Sequence, residues 1–283
     1  NMFSESFPTV SVSGVEIPSI GYGTMLFPEP EKAISLISQA IESGYRHIDT
    51  ARKYGSEKWV GEAIRNTSIS REEIWVTTKV TEENAKADDF ARSVDKSLKT
   101  MQLNYVDLLL IHWPQPKVPL SETIGALIKA KQEGLAKNIG ISNFTVELIH
   151  KAVQLSSEQL FTNQIEYHPF INQDKVLQTC RKFGISVTCH VPLARGEVLK
   201  SPQIKEIAKF HKKSPAQVTL KWLIQQKNII VVPRGLSRGE IIENINLSDF
   251  SLSDEQMNMI SKLRKRNLRL VDPEVRRPVW DLP

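Results

Sequence analysis

Short apolar segments alternate with longer amphipathic segments along the chain, and this alternation restricts the fold more than any other feature of the sequence. Segments such as Val106–Ile111 and Ile229–Val232 are almost continuously apolar, which is typical of parallel strands covered on both faces. The segments predicted to be strands are Ser19–Gly23, His47–Asp49, Ile74–Lys79, Val106–His112, Asn138–Ser142, Asn163–Glu166, Ser186–His190 and Ile229–Pro233.

The segments between these strands have the periodicity of amphipathic helices. Glu31–Ser43, for example, spaces its apolar residues by three and four, which places them on one helix face. Pro215 follows Ser214, and proline favours the first turn of a helix, so Pro215–Gln226 is predicted to be an extra helix before the last strand. The other predicted helices are Ser56–Asn66, Asp88–Met101, Leu120–Gln132, Val146–Leu155, Asp174–Phe183, Pro202–His211 and Arg238–Asn246.

Repeated strand–helix units predict a parallel sheet, and eight such units in about 250 residues favour a closed (β/α)8 TIM barrel. An open, doubly wound sheet is the alternative, but no Gly-x-Gly-x-x-Gly motif opens a helix after the first strand. Thr9–Pro18 is predicted to be a hairpin that turns at Ser13-Gly14 and plugs the bottom of the barrel. We therefore predict an α/β fold in which residues 1–283 form a single TIM-barrel domain with an N-terminal β-hairpin and extra helices.

The charge balance is mildly basic, with 37 Lys and Arg residues against 32 Asp and Glu residues and a net charge of +5. This balance suits an anionic cofactor or substrate. The basic run Lys262–Asn267 contains no aromatic residue that could stack on bases, so we interpret it as a solvated helix face. No nucleic-acid partner is expected.

The cysteines and the hydropathy pattern indicate in which compartment of the cell the protein is expected. Cys180 and Cys189 lack metal-ligand spacing and are predicted to be small buried side chains. No apolar run approaches about 18 residues, so no membrane span is expected. No basic stretch leads into an apolar run near the start, and we predict a cytoplasmic protein. The sequence does not define the oligomeric state.

Polar residues stand at the ends of four predicted strands: Asp49, Lys79, His112 and Gln164. Each has a simple structural interpretation, as a helix cap, a solvated strand end, a core histidine or a partner of the backbone. The carboxyl ends of barrel strands carry the active site, however, and an ionisable group is costly to bury without a partner. Together these residues predict a site in which Asp49 and Lys79 form an ion pair.

Tyr54 follows Asp49 by five residues, within the loop Thr50–Gly55. It could simply rest its ring on the barrel rim. A phenol normally titrates near pH 10, and a neighbouring ammonium group lowers that pKa. A chain of Tyr54, Lys79 and Asp49 is therefore predicted to be a tuned proton donor.

Several longer stretches resemble the aldo-keto reductase family. The resemblance extends from Val10 to Pro278 and is greatest to short-loop bacterial members such as the 2,5-diketo-D-gluconate reductases, since the loops Trp113–Leu120 and Val191–Ser201 are short. The matching stretches are Gly44–Ala51 (GYRHIDTA) with Glu57 and Val60-Gly61, Leu127 with Lys137–Phe144 (KNIGISNF), Asn163–Pro169 (NQIEYHP) and Val106–Pro114.

The resemblance implies an NAD(P)H-dependent carbonyl reductase for aldehydes and ketones, with keto-sugars as candidate substrates. It implies no metal. The implied catalytic tetrad is Asp49, Tyr54, Lys79 and His112. The substrate pocket is expected to include Met25, Tyr54, His112 and Trp113. The expected cofactor-binding residues are Gly23, Thr24, Asp49, Ser142, Asn143, Gln164, His190, Leu193, Arg234, Gly235, Glu240, Glu243 and Asn244, of which Ser142, Asn143 and Gln164 hold the nicotinamide carboxamide.

Three positions depart from the family pattern. His190 stands where a larger aromatic residue usually lies under the nicotinamide ring, and Met25 replaces an aromatic pocket residue. Glu240 stands where NADPH-dependent members have an arginine, while Arg234 keeps one positive charge. A carboxylate opposes a 2′-phosphate but can accept a hydrogen bond from a ribose hydroxyl. We expect NADP(H) to be the cofactor and NAD(H) to be accepted.

Two alternatives belong to other functional classes. A Schiff-base lyase could use Lys79 as its nucleophile, because barrel enzymes also place such lysines at strand ends. A barrel that binds the cofactor without turnover is the other alternative, which the complete tetrad disfavours.

Overall fold

A computed structural model describes residues 7–283 and shows a closed barrel of parallel strands surrounded by helices. Residues 1–6 lie outside the described part, so the beginning of the predicted domain, and of the stretch considered for a signal sequence, is not covered. Strands β1 (Thr9–Val12) and β2 (Val15–Pro18) form the predicted antiparallel hairpin ahead of the barrel.

The described part contains an eight-stranded parallel sheet in which each strand pairs with the next along the chain. The first and last strands also meet, because the Gly21 N–H donates to Val231 O over 2.8 Å and the Gly23 N–H donates to Pro233 O over 3.0 Å. These bonds close the predicted barrel. Its strands are β3 (Tyr22–Gly23), β4 (His47–Asp49), β5 (Trp75–Val80), β6 (Val106–Ile111), β7 (Ala136–Ser142), β8 (Leu160–Glu166), β9 (Ser186–His190) and β10 (Ile229–Val231).

Closure of the barrel depends on Gly23. A Cβ atom at this position would lie 2.5 Å from Val232 O, so a larger residue would push β3 away from the segment that follows β10. Glycine is therefore required for this close approach.

Helices connect the strands in the predicted order, with α7 and α8 both standing between β9 and β10. The last helix, α10, is not predicted by the periodicity because it carries few apolar residues, although Ser253 and Gln256 form a capping box at its start. Within residues 7–283, no helix is both long and apolar enough to span a bilayer. The helices are α1 (Ala33–Glu42), α2 (Glu57–Asn66), α3 (Ala87–Met101), α4 (Leu120–Gln132), α5 (Val146–Leu155), α6 (Asp174–Lys182), α7 (Pro202–His211), α8 (Pro215–Ile224), α9 (Arg238–Ile245) and α10 (Asp254–Ser261).

The hairpin plugs the N-terminal end of the barrel, as predicted. Val10, Val12 and Ile17 form one apolar cluster with inward-facing residues such as Trp75 and Phe161, which stand near the starts of β5 and β8. The opposite, C-terminal end stays free of the hairpin, and the predicted site residues lie there.

Candidate active site

Lys79 is the centre of the site and is fully buried. Its ammonium group donates to Asp49 Oδ1 over 2.7 Å, to the Thr50 carbonyl oxygen over 3.0 Å and to Tyr54 Oη over 3.1 Å. The strand register explains why Lys79 meets Asp49. Asp49 on β4 pairs with Thr77 on β5. Lys79 comes two residues after Thr77, so its side chain points to the same, inward face of the strand. The predicted ion pair and the approach of Tyr54 are both present.

The pKa of Tyr54 is raised above its usual value near 10. Burial is the largest cause, and the positive charge of Lys79 offsets only part of it. As predicted, the ammonium group of Lys79 lowers the pKa of Tyr54. The prediction is wrong for the pKa as a whole, because burial raises it by more. Burial would also lower the pKa of Lys79, but Asp49 and Tyr54 together raise it above its usual value. At neutral pH the phenol keeps its proton and the amine stays charged.

His112 follows β6 and faces Tyr54, with ring centroids 5.5 Å apart and the planes nearly perpendicular. Burial lowers the pKa of His112 well below its usual range, and the positive charges of Lys79 and Lys53 lower it further. The imidazole is therefore neutral at physiological pH. Within residues 7–283 its Nδ1 atom has no hydrogen-bond partner.

Gln164 on β8 joins this group to the next strands. Its Nε2 donates to Asp49 Oδ2 over 2.8 Å, while its Oε1 is buried without a partner among the described residues. The Ser142 hydroxyl donates to the Gln164 carbonyl oxygen over 2.8 Å, and Asn143 Nδ2 donates to the His112 carbonyl oxygen over 3.0 Å. The ends of β4, β6, β7 and β8 thus form one hydrogen-bonded unit.

A cleft with a volume of about 620 Å³ begins beside Asp49, Tyr54 and Gln164 and extends outwards to Arg234. Arg195 and Gly196 also line it and were not predicted. The other predicted residues along its walls are Gly23, Thr24, Met25, His190 and Leu193.

Several residues predicted for the adenosine end stand outside the walls of this cleft. The Glu240 carboxylate is exposed and accepts the Leu236 N–H over 2.8 Å, so it caps the start of α9. The Gly235 carbonyl oxygen accepts the Tyr22 hydroxyl over 2.7 Å. Glu243 offers its carbonyl oxygen to Gln217 Nε2, and Asn244 is buried.

Arg234 and Trp113, both predicted for the site, differ in their position relative to the cleft. Arg234 lies in its wall and donates to the carbonyl oxygens of Met25 and Leu26, which fastens the loop after β3 to the loop after β10. Trp113 is buried behind His112, with ring centroids 6.4 Å apart and an interplanar angle of 27°.

The C-terminal tail, residues 268–283, reaches the same end of the barrel, and the sequence provided no motif for it. Glu166 at the end of β8 accepts the N–H groups of Leu270 over 2.8 Å and Val271 over 2.7 Å. Trp280 then packs edge-on against Trp113, with centroids 6.2 Å apart. A strand-end carboxylate inside the NQIEYHP stretch was the available signal, but it does not identify a partner so distant in sequence.

The charge state of Lys79 disfavours the Schiff-base alternative. A nucleophilic amine must be unprotonated, whereas this ammonium group is held charged and donates to three acceptors. Among residues 7–283, no group of three or more His, Cys, Asp or Glu side chains is arranged to hold a metal ion.

The cleft fits a nicotinamide dinucleotide. Gln164 Oε1 is a buried, unpartnered acceptor that matches a carboxamide N–H, and Arg234 brings a positive charge to the far end of the cleft. A phenol lines the inner end of this cleft, and an ammonium group and a neutral imidazole lie against that phenol. The arrangement defines a class of protein, the barrel oxidoreductases that act on carbonyl groups.

Comparison with known proteins leads to the same class of enzyme. The model of the Aldo/keto reductase family matches residues 19–265, and the chain belongs to this family. It is 39% identical to the methylglyoxal reductase DkgB of Salmonella typhi, over 94% of this chain and 99% of that protein.

Two crystal structures are similar to the chain as a whole. A putative 2,5-diketo-D-gluconic acid reductase B has a TM-score of 0.94 and 41% identity over 98% of both chains. The Bombyx mori aldo-keto reductase in complex with NADP has a TM-score of 0.88 and 32% identity over 95% of this chain and 96% of that one. The protein is thus a nicotinamide-dependent enzyme that reduces carbonyl groups of small molecules.

Proposed function

We propose that this enzyme reduces small aldehydes and ketones, with methylglyoxal as a representative substrate, and that Tyr54 gives the proton. The observation that carries the proposal is the chain of contacts from Tyr54 Oη to Lys79 Nζ, 3.1 Å, and on to Asp49 Oδ1, 2.7 Å, at the inner end of the cleft. The likeness to a methylglyoxal reductase supports the choice of substrate.

Each polar group of the site has a task in the reduction. When bound, the dihydronicotinamide supplies the hydride that adds to the carbonyl carbon. Tyr54 donates its proton to the carbonyl oxygen, and Lys79 stabilises the phenolate that remains. Asp49 keeps Lys79 charged and oriented. Neutral His112 donates a hydrogen bond to the same oxygen, a contribution of about 3 kcal/mol to the barrier in comparable sites.

We propose that Ser142, Asn143 and Gln164 hold the carboxamide of the cofactor. Their hydrogen bonds to one another fix them before the cofactor arrives, which lowers the entropy cost of binding. His190 would lie against the ring, with less contact area than a larger aromatic residue. Burial lowers the pKa of His190 to about 4, so it adds no positive charge beside the ring at neutral pH.

We propose NADP(H) as the preferred cofactor, with NAD(H) accepted. Arg234 offers a positive charge at the cleft wall, while Glu240 adds a negative charge at the start of α9. The effects of these charges on a 2′-phosphate oppose each other, which predicts a weak preference.

The Tyr54→Phe variant tests the proton donor, because it deletes only the hydroxyl group. We expect turnover of methylglyoxal with NADPH to fall by about a hundredfold or more, the usual contribution of a general acid, while the Kd for NADPH and the Tm stay close to wild type. Tyr105→Phe is a matched control, since the Tyr105 hydroxyl is buried without a partner among the described residues and lies outside the cleft walls. A Tyr54→Phe enzyme that retains more than about a tenth of wild-type turnover would overturn the assignment.

A further inference from the structure

Glu82 binds two cations that come from distant parts of the chain. It begins the turn after β5, and its Oε1 accepts Lys53 Nζ over 2.7 Å and Arg276 Nε over 2.9 Å. Its carbonyl oxygen also accepts Gln115 Nε2 over 3.2 Å. The Glu82 side chain is only 9% exposed, so these contacts are largely shielded from water.

The two cations belong to segments that border the active site. Lys53 immediately precedes Tyr54, and Arg276 lies in the C-terminal tail four residues before Trp280. The positive charges of both side chains contribute to lowering the pKa of His112. One carboxylate therefore joins the loop of the proposed proton donor to the C-terminal tail.

The energetics favour a persistent contact. Burial alone would raise the pKa of Glu82, but hydrogen bonds from Lys53 and Arg276 help to hold it below its usual value, so the group is charged at neutral pH. If the carboxylate is neutralised, two partly buried cations face each other without a counter-charge. Such broken buried pairs are costly compared with exposed ion pairs.

The tail beyond Arg276 forms a wall above the catalytic histidine. Trp280 packs against Trp113, which is stacked on His112, and the Arg269 guanidinium lies 3.8 Å from the centre of the Trp280 ring. Glu166 anchors the beginning of the tail at Leu270. The Arg276 contact holds the tail four residues before Trp280, and Asp281 Oδ2 accepts the Val146 N–H over 3.0 Å one residue after it. These two contacts flank Trp280 and bear on its placement.

We infer that Glu82 is a positioning residue, which latches the C-terminal tail to the loop of Tyr54 and thereby sets the shape of the substrate mouth. The inference rests on the proposed role of Tyr54. Because the cofactor cleft does not include Glu82, Lys53 or Arg276, the latch acts on substrate binding and leaves cofactor binding unchanged.

The test is a double-mutant cycle with Glu82→Gln, Arg276→Met and the combined variant. Each single variant should raise the KM for methylglyoxal about fivefold or more, with a smaller effect on kcat and an unchanged Kd for NADPH. The combined variant should be no worse than the more impaired single variant, because both substitutions break the same Glu82–Arg276 contact. Trypsin should also cleave the tail of Glu82→Gln faster than that of wild type, as followed by mass spectrometry.

The matched control is Glu83→Gln, which removes a neighbouring, exposed charge and should behave like wild type. A wild-type KM for Glu82→Gln, additive effects in the cycle, or an equally protected tail would each overturn the latch. Arg276→Met keeps the test decisive if Glu82→Gln folds poorly. Tail protection is measured without turnover, so the latch can be tested even if the Tyr54→Phe experiment refutes the proposed proton donor.

Discussion

At the scale of single residues, two opposite charges stand near the outer end of the cleft, and we propose that they set the cofactor preference. Arg234 lies in the wall, and Glu240 is exposed at the first turn of α9. Two unit charges about 4 Å apart interact by roughly 4 kcal/mol at an effective dielectric constant of 20, and exposure and salt reduce this strongly. Changing one of these charges should therefore have a measurable but limited effect on the preference between NADPH and NADH.

Glu240→Arg should shift the preference towards NADPH by about tenfold, or roughly 1.4 kcal/mol. The measurement is kcat/KM for NADPH and NADH in wild type and variant at fixed ionic strength. Glu255→Arg makes the same change in net charge at an exposed position on α10 and should leave the ratio unchanged. A wild type that already prefers NADPH several hundredfold and ignores the substitution would show that Glu240 does not face the cofactor.

The side chains that meet at the strand ends could be predicted because the barrel geometry brings the carboxyl ends of β4, β5, β6 and β8 together. The hydrogen bond from Gln164 to Asp49 could not be predicted, since its rotamer depends on the neighbouring strands. The hydrogen bond from the Leu236 N–H to the Glu240 carboxylate could not be predicted either, because the sequence does not show which way an exposed side chain turns.

At the scale of helices and strands, the contact between α2 and α3 explains a glycine of the family stretch. A Cβ atom on Gly61 would lie 2.4 Å from Met101 O, so the two helices approach more closely than any larger residue would allow. Gly125 on α4 has open space around its Cα instead. The same substitution therefore has opposite expected effects at these two positions.

Gly61→Ala should lower the Tm by several degrees, whereas Gly125→Ala should raise it slightly. Alanine is preferred over glycine inside a helix by about 1 kcal/mol, so only the steric contact can make the first substitution harmful. Thermal unfolding followed by circular dichroism measures both. Stabilisation by both substitutions would show that α2 and α3 can separate without cost.

The periodicity predicted the type of nearly every element, but it placed the starts of two strands late. β7 begins at Ala136 and β8 at Leu160, two and three residues before the predicted starts. Lys137 interrupts the apolar pattern of β7 because it is exposed near the rim, where a strand can be paired without being buried. Pairing with the neighbouring strand, which a single sequence does not show, decides these boundaries.

At the scale of the whole molecule, His47 connects the plug to the barrel. It begins β4, is fully buried, and its Nδ1 lies 3.1 Å from Pro18 O at the end of the hairpin. Burial is the largest cause that lowers the pKa of His47 from 6.5 to about 4. The folded protein thus excludes a proton that the unfolded chain would take up below about pH 6.5.

Stability should therefore fall as the pH drops from about 6.5 towards 4. The unfolded state binds more protons over this range, so the free energy of unfolding decreases, by about 3 kcal/mol from His47 alone when pH 4 is reached. Urea unfolding at several pH values measures the slope, and His47→Asn should make it shallower. Equal slopes for variant and wild type would mean that this histidine can be protonated within the fold.

The chain-wide pattern was sufficient to predict the closed barrel, the hairpin and the strand ends at which the polar residues of the candidate site meet. It was not sufficient for the tail, because residues 268–283 have no periodicity and the contacts that fix them to the barrel are with partners far away in sequence. Leu270 meets Glu166, and Arg276 meets Glu82. Those contacts depend on the finished barrel, so no local rule could have predicted them.

The plug has a practical consequence for handling the enzyme. Because the hairpin closes one end of the barrel and the cleft opens at the other, an attachment point on β1 would hold the molecule on a surface with its mouth turned outwards. Both native cysteines are fully buried, and burial raises the pKa of the Cys180 thiol to about 12. A Ser11→Cys variant would place a reactive thiol on the exposed face of the hairpin, and maleimide chemistry would then give an oriented electrode or bead coating.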